Sequence, residues 1–379
     1  MATTVLLTGG AGFIGGHTAT ALVSRGYRVR VLDCLDPQIH GAAADFPTYL
    51  HPDVERVRGD VCDRSSVRAA LAGVDAVYHF AAQTGIGQSM YNLQSYVRTN
   101  CTGTATLLEA LVAEGVRVDR LVLASSRAVY GEGTYRCPTH GAVYPGLRRR
   151  EAMRAGDYEV HCPQCGDRAD AQPTAEDRPL VPTSLYGLTK KQQEEYCQYA
   201  ATVFGLPVVI LRYFNVYGSQ QSLNNPYTGV ATVFFNRIRG RQPIALYEGG
   251  SPLRDFVHVS DVVQANLLAL EADVPSGVCV NVGSGEVATI RDLAELLARI
   301  CAIEPQFEDR GDFRVGDIHA GLADISRARH LLGYAPRKSL EDGMAEFVGW
   351  AQGQQSVDRY EQTVAELERH GLFGRTQTP

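Results

Sequence analysis

One short stretch near the start of the chain limits its fold more than any other. Gly9-Gly10-Ala11-Gly12-Phe13-Ile14-Gly15 directly follows an apolar run, 5–8, and opens a helical pattern in which Ile14, Thr18 and Leu22 share a face before Gly26 ends it. A second apolar run, 28–32, completes a strand–helix–strand unit. In such a unit Gly9 permits the tight turn, Gly12 lets the backbone approach a pyrophosphate, and Gly15 allows the helix to pack closely on the strand. The first helical amides, those of Phe13 and Ile14 among them, then face the phosphates with positive potential. Asp33 ends the second run, where a carboxylate accepts from a ribose diol and repels a 2′-phosphate, so NAD is expected in preference to NADP. Asp60, followed by Val61, comes after a third run and is placed to meet the adenine, although it could equally serve a turn.

Further apolar runs at 54–58, 76–80, 121–124 and 208–211 alternate with helical patterns, and that alternation predicts an α/β fold with a doubly wound parallel sheet. The expected organisation is a nucleotide-binding domain over 1–210, interrupted by an insertion at 135–182 rich in Pro, Gly, Arg and Cys. A smaller α/β substrate lobe follows over 211–355, from which segments can return to the first domain. A C-terminal helix and tail occupy 356–379, with Tyr360, Val364 and Leu367 on one stripe. Two long amphipathic patterns, 93–114 and 184–204, are read as surface helices whose outer faces could meet a second copy, making a homodimer the expected assembly. The net charge of -6 and the lack of any long Lys/Arg run exclude the electrostatic footprint of a nucleic-acid binder. Neither a leader pattern nor an apolar run of membrane-spanning length stands in the sequence, so a cytoplasmic protein with no membrane contact is expected. Nine Cys in that compartment point to buried thiols, metal ligands or reactive groups instead of disulfides.

Tyr186-Gly-Leu-Thr-Lys190 begins a helical pattern and puts Tyr and Lys one turn apart on one face. A phenol near an ammonium and a cationic ring is driven toward the phenolate and can remove a hydroxyl proton. Ser125 and Ser126, in Ala124-Ser-Ser-Arg-Ala-Val-Tyr-Gly131, end a strand where open parallel sheets bind ligands, and a hydroxyl there can donate to the reacting oxygen.

With His79-Phe-Ala-Ala82, Leu211-Arg-Tyr-Phe-Asn-Val-Tyr-Gly218 and Arg254-Asp-Phe-Val-His-Val259, these motifs resemble the extended short-chain dehydrogenase/reductase family, in order and spacing across nearly the whole chain. The resemblance implies a Rossmann fold and assigns catalysis to Ser126, Tyr186 and Lys190. It places Phe80, Ala81, Ala82, Asn100 and Ser125 beside the cofactor with Tyr186 and Lys190. It places Gln83, Thr84, Ser126, Tyr186, Asn215, Tyr227, Arg254, Arg314 and Asp317 beside a nucleotide-diphosphate sugar. Relatives that eliminate water carry an acid pair after the catalytic hydroxyl residue, and decarboxylating relatives usually keep a Glu at the second position, whereas this chain has Arg127 and Ala128. What remains is oxidation followed by reduction, so the resemblance implies an NAD-dependent nucleotide-sugar 4-epimerase with tightly bound, recycled NAD.

Cys137-Pro-Thr-His140-Gly and Cys162-Pro-Gln-Cys165-Gly form two short knuckles, offering three thiolates and an imidazole at the spacing of a structural zinc site; chance spacing of cysteines is the other reading. His161 is set aside because its neighbour already anchors that turn, and Arg148, Arg149, Arg150 and Arg154 are read as a solvated basic surface in preference to a phosphate contact. The insertion, with 221–230, resembles enzymes that interconvert dTDP-L-rhamnose and dTDP-6-deoxy-L-talose. UDP-sugar and UDP-uronate 4-epimerases share most motifs, and side chains near Gln83, Thr84, Ser89 and Tyr227 could admit a different sugar. A net nucleotide-sugar oxidoreductase is a further alternative. A non-catalytic NAD-sensing protein with a partner-binding zinc knuckle is another, disfavoured by the intact Ser126, Tyr186 and Lys190.

Overall fold

In the first strand, β1 (Thr4–Thr8), Val5 and Leu7 belong to one apolar cluster and Leu6 to another, and all three are fully buried. A strand buried on both faces requires a layer on each side of its sheet. The computed structural model, which describes residues 3–41, 45–113, 115–225, 227 and 229–376, has that arrangement. β2 (Arg28–Asp33), β3 (Glu55–Arg58), β4 (Ala76–His79), β5 (Arg120–Ser126), β6 (Val208–Tyr213) and β7 (Val278–Val282) join β1 in one sheet of order 3-2-1-4-5-6-7. Every pairing in it is parallel.

The helices that cover the sheet are α1 (Phe13–Ser24), α2 (Gly103–Ala113), α3 (Leu185–Phe204) and α4 (Val259–Glu271). Ala19 and Leu22 of α1 and Val262 and Ala265 of α4 pack with Val5 and Leu7. Leu107 and Leu111 of α2 and Cys197 and Ala200 of α3 pack with Leu6 on the other face. Both α4 and β7 come from the irregular stretch after 211, so chain from that stretch returns to build the sheet's edge and one of its layers. The substrate-side lobe has its own core, in which Phe234 and Phe235, Leu293 and Leu297, and Met344 and Phe347 pack three helices together.

The helix expected over 93–114 runs without a break through 113, but as a helical turn, Leu93–Tyr96, a π-helical stretch, Val97–Thr102, and then α2; residue 114 lies outside the described residues. The wider π turn brings Asn100 fully inside, and Gly103 follows where a Cβ would come within 2.6 Å of Val61. The insertion is a small antiparallel sheet of Thr134–Cys137 between Gly141–Val143 and Asp170–Gln172. Its core of Tyr135, Cys137, Val143, Val160 and Cys162 continues onto Ala320 and Leu322 of the main body. The C-terminal helix, α5 (Tyr360–Arg369), docks through Val364 and Leu367 against Phe373, Tyr91 and Tyr247. No helix among the described residues is long and apolar enough to cross a membrane.

Candidate active site

At the C-terminal ends of the central strands lies a cavity of about 1210 Å³. Its floor begins at Gly9, whose φ of 68° is left-handed and whose missing Cβ would stand 2.6 Å from the Ala81 backbone nitrogen; a side chain here would be both strained and obstructed. Gly12 caps α1 without a side-chain bond, which leaves the first amides of the helix facing the cavity beside Phe13 and Ile14. Asp33 is nearly buried at the end of β2; its carboxylate accepts from the amides of Ala11 (3.0 Å) and Leu35 (2.9 Å) and lines the cavity. These residues form a glycine cradle, a helix N-terminus and a carboxylate in the order a dinucleotide needs, so they fit NAD. Asp60 does double duty, accepting from the Cys62 amide (2.8 Å) as a turn residue and pairing with Arg98 (2.7 Å) at the cavity rim next to Val61.

Phe80, Ala81 and Ala82 leave β4 along the cavity wall. Behind them His79 bridges Thr8 (2.7 Å) and Thr104 (2.8 Å); burial, with some help from the charge of Lys190, drops its pKa to about 3, so it stays a neutral strut. Asn100 departs from expectation. It does not line the cavity but is wholly buried, accepting from the Gln83 amide (2.7 Å) and donating to the Gln83 carbonyl (3.1 Å) and to Thr189 (2.9 Å). It therefore fixes the loop that carries Gln83 and Thr84 into the cavity.

Tyr186 stands in the first turn of α3 and Lys190 one turn further on; the N-cap Ser184 accepts from the Gly187 amide (3.2 Å). Tyr186 is half-buried and shares a side-chain hydrogen bond with Ser126. Burial raises its pKa, and both that bond and the charge of Arg127 work against the rise. Lys190 donates to the Ala124 carbonyl (2.8 Å), and burial lowers its pKa to about 8. Ser125, Ser126, Tyr186 and Lys190 all line the cavity. Beneath them Arg212 grips Glu194 through two hydrogen bonds (2.9 and 2.7 Å), and Ser125 donates to the same carboxylate.

Asn215, Arg254, Arg314 and Asp317 line the same cavity. Arg314 pairs with Asp317 through Nε and Nη2 (both 2.8 Å) and lies over the Tyr247 ring, 5.3 Å from its centroid. Arg254 is buried and spends its terminal nitrogens on the carbonyls of Leu253, Ile318 and His319, and burial lowers its pKa. The Asn215 Oδ1 is buried without a partner among the described residues, as a ligand-facing acceptor would be. Gln83, Thr84 and Tyr227 line the remaining wall, with Thr363, Val364 and Leu367 of α5. Tyr227 is tied to Tyr91 (2.7 Å) and to Glu366 of that helix, whereas Ser89 turns back on the Ile86 carbonyl (2.6 Å) and does not reach the cavity.

Two cavity features escaped the sequence reading. Arg127 is buried beside Arg254, and desolvation followed by that neighbouring charge lowers its pKa to about 10; read only as the absence of an acid, it is a charge in the site wall. Glu248 enters the cavity wall from a loop, gripped by Arg148. The solvated reading of the arginine run is corrected for Arg148, whose side chain is 6% exposed, while Arg149 and Arg154 are exposed. No local signal could have shown this, since Glu132 and Glu248, its partners, are remote in sequence.

In the insertion, Cys137, His140, Cys162 and Cys165 bring one ligand atom each within 4.8 Å of one another. His161 is engaged elsewhere, by Asp157 (2.8 Å) and the Gly166 carbonyl (3.0 Å).

Comparison with known proteins agrees with this geometry. The chain is 38% identical over 362 residues to a dTDP-L-rhamnose 4-epimerase of Burkholderia thailandensis, covering 94% of this chain and 96% of that protein. Its fold matches a UDP-glucuronic acid 4-epimerase from Bacillus cereus solved with UDP-glucuronic acid and NAD (TM-score 0.75, 27% identity, 92% of this chain and 99% of that one). It also matches a UDP-glucose 4-epimerase from Thermotoga maritima solved with UDP-glucose (TM-score 0.74, 28% identity, 92% and 99%). The model of the NAD dependent epimerase/dehydratase family matches residues 5–147 and 162–283, leaving 148–161 of the insertion outside it, and the chain belongs to that family.

Proposed function

We propose that the protein is an NAD-dependent nucleotide-sugar 4-epimerase and that dTDP-L-rhamnose and dTDP-6-deoxy-L-talose are its substrate pair. The observation that carries the reaction type is that Tyr186, Ser126 and Lys190 line one cavity together with a dinucleotide cradle and the Arg254/Arg314/Asp317 group. The sugar assignment rests on the relative from Burkholderia thailandensis.

In this reading Tyr186 takes the proton from the sugar O4 and Ser126 donates a hydrogen bond to the same oxygen. NAD, which the Gly9–Gly15 cradle and Asp33 would hold, would supply the acceptor and donor of hydride for C4. The charge of Arg127 favours the phenolate, and Lys190, one helical turn from Tyr186, lines the same cavity. Arg254 and Arg314 hold the diphosphate and Asp317 a ribose hydroxyl, so the sugar can turn while its nucleotide stays fixed. Purified protein given dTDP-L-rhamnose without added cofactor should form the talose epimer with no net change in nicotinamide absorbance. If neither this sugar nor UDP-glucose or UDP-glucuronate is epimerised, the proposal fails. Net, stoichiometric NADH formation or consumption would instead indicate an oxidoreductase. The solved UDP-sugar epimerases give the UDP substrates standing as the second reading.

We also propose a structural zinc in the insertion. The Cys137 and Cys162 sulfurs lie 3.6 and 3.5 Å from His140 Nδ1, and the Cys137 and Cys165 sulfurs lie 3.6 Å apart. Zinc bonds of about 2.0–2.3 Å to N and S in a tetrahedron imply ligand separations of roughly 3.5–3.8 Å. Four protein ligands leave no open position, so the metal would hold the module's shape. A homodimer is proposed from the exposed Leu93 and Val97, and Leu188, Tyr199, Val203 and Phe204 of α3, large apolar side chains left open to solvent. Sedimentation of the purified protein as a monomer would refute it.

A further inference from the structure

We propose that Arg148, supplied by the insertion, is a positioning residue for the nucleotide subsite, holding the Tyr247–Gly250 turn and the 317–320 segment so that Arg314 and Asp317 face the cavity. The inference rests on the reading of that subsite given above and extends it to a stretch of chain, 148–161, that the family model does not match.

The guanidinium of Arg148 does not line the cavity. It donates Nη1 to Glu248 Oε2 (2.7 Å) and to the Tyr158 carbonyl (2.9 Å), and Nη2 to Glu248 Oε1 (2.9 Å) and to the Asp317 carbonyl (3.0 Å). Its Nε lies 3.0 Å from Glu132, whose carboxylate in turn accepts from the His319 amide. One side chain thus reaches the insertion, the turn at 248 and the segment at 317–319. Two of these partners, Glu248 and Asp317, line the cavity themselves. Asp317, whose carbonyl Arg148 holds, pairs through its side chain with Arg314; Tyr247, next to Glu248, lies under the Arg314 guanidinium. Arg254 hangs from the carbonyls of Ile318 and His319 in the same segment.

Two features mark this cluster as geometric in purpose. Glu248 is held at a φ of 53°, a left-handed conformation that a glutamate seldom adopts, and the Arg148 fork keeps its carboxylate in place. Buried ion clusters add little stability over apolar packing, so what this one supplies is a fixed arrangement of its neighbours. Lysine could keep the charge but, as a compact ammonium, could not span both Glu248 oxygens and two carbonyls.

The test uses dTDP and UDP as probes with the intact NAD-containing protein, read by calorimetry, and then the KM for the nucleotide sugar. Arg148→Lys should weaken dTDP binding about tenfold or more, the loss expected for a charged hydrogen bond, and raise KM in parallel. The kcat at saturation and the NAD content should stay at wild-type values. Glu248→Gln, which keeps the acceptor's shape and removes its charge, should shift affinity in the same direction and provides an independent measurement if Arg148→Lys does not fold. Equal dTDP affinity in variant and wild type overturns the inference. So does parallel loss of NAD and dTDP, because general loosening of the fold would produce it. Wild-type protein that binds neither dTDP nor UDP would defeat the proposed function itself.

Discussion

Replacing Tyr186 with Phe removes one oxygen and tests the chemistry with little disturbance to the fold. The ring keeps its place edge-on to Tyr96, with centroids 6.5 Å apart, and the side chain loses only its hydrogen bond with Ser126. A lost hydrogen bond of this kind costs about 1 kcal/mol, so Tm should fall by only a few degrees. NAD should stay bound, because the glycine cradle and Asp33 are untouched. Turnover is another matter. A positioned general base contributes roughly 10²–10⁴-fold, or about 2.7–5.5 kcal/mol of barrier, and Ser126 cannot replace it because an ordinary hydroxyl is far less acidic than a phenol. The measurement is epimer formation by proton NMR of the sugar, with bound NAD quantified in the same sample. In the wild-type enzyme burial raises the Tyr186 pKa, so the phenolate fraction, and with it the rate, should climb as pH rises through the neutral range; this limb should vanish in the variant. A Tyr186→Phe protein that holds NAD and turns over within about tenfold of wild type would remove the phenol from its assigned role.

Arg127→Leu takes away a positive charge that opposes the rise in the Tyr186 pKa, so the limb of the pH–rate profile should move to higher pH; an unmoved limb would mean that Arg127 does not influence the phenol. Glu194→Ala leaves the Arg212 guanidinium buried without its carboxylate and should cost about 3–5 kcal/mol in denaturant unfolding; a loss below about 1 kcal/mol would show that the pair is not what locks α3 to β5 and β6. Cys162→Ser should abolish stoichiometric zinc in elemental analysis and lower Tm, and a wild-type protein purified without zinc, its thiols reduced, would refute the metal assignment.

The parts of this molecule that could be read from sequence are those whose physics is local. Gly9, Gly12 and Gly15 act within a single turn, Tyr186 and Lys190 within one turn of helix, and the unbroken apolar run of β1 within one strand. The two knuckles were visible for the same reason, since each is a four-residue signal, and the fold brings them together. What stayed hidden depends on partners distant in the chain. Asn100 looked like a cofactor contact until the π turn directed it at Gln83 and Thr189. Arg148 resembled its exposed neighbours Arg149 and Arg154 because nothing near it in sequence announces Glu132 or Glu248. β7 passed unnoticed because Asn281 breaks its apolar pattern, yet Asn281 is satisfied inside by the carbonyls of Thr174 and Asp324.

Thr363, Val364 and Leu367 give α5 a share in the wall of the cavity, and Glu366 ties it to Tyr227. Linkage then runs in both directions: whatever affinity the docked helix lends to a nucleotide sugar, the sugar must return as resistance of that helix to undocking. The amides of Tyr360–Arg369 thus become a built-in reporter, exchanging more slowly with deuterated solvent when the sugar arrives and indifferent to the dinucleotide alone.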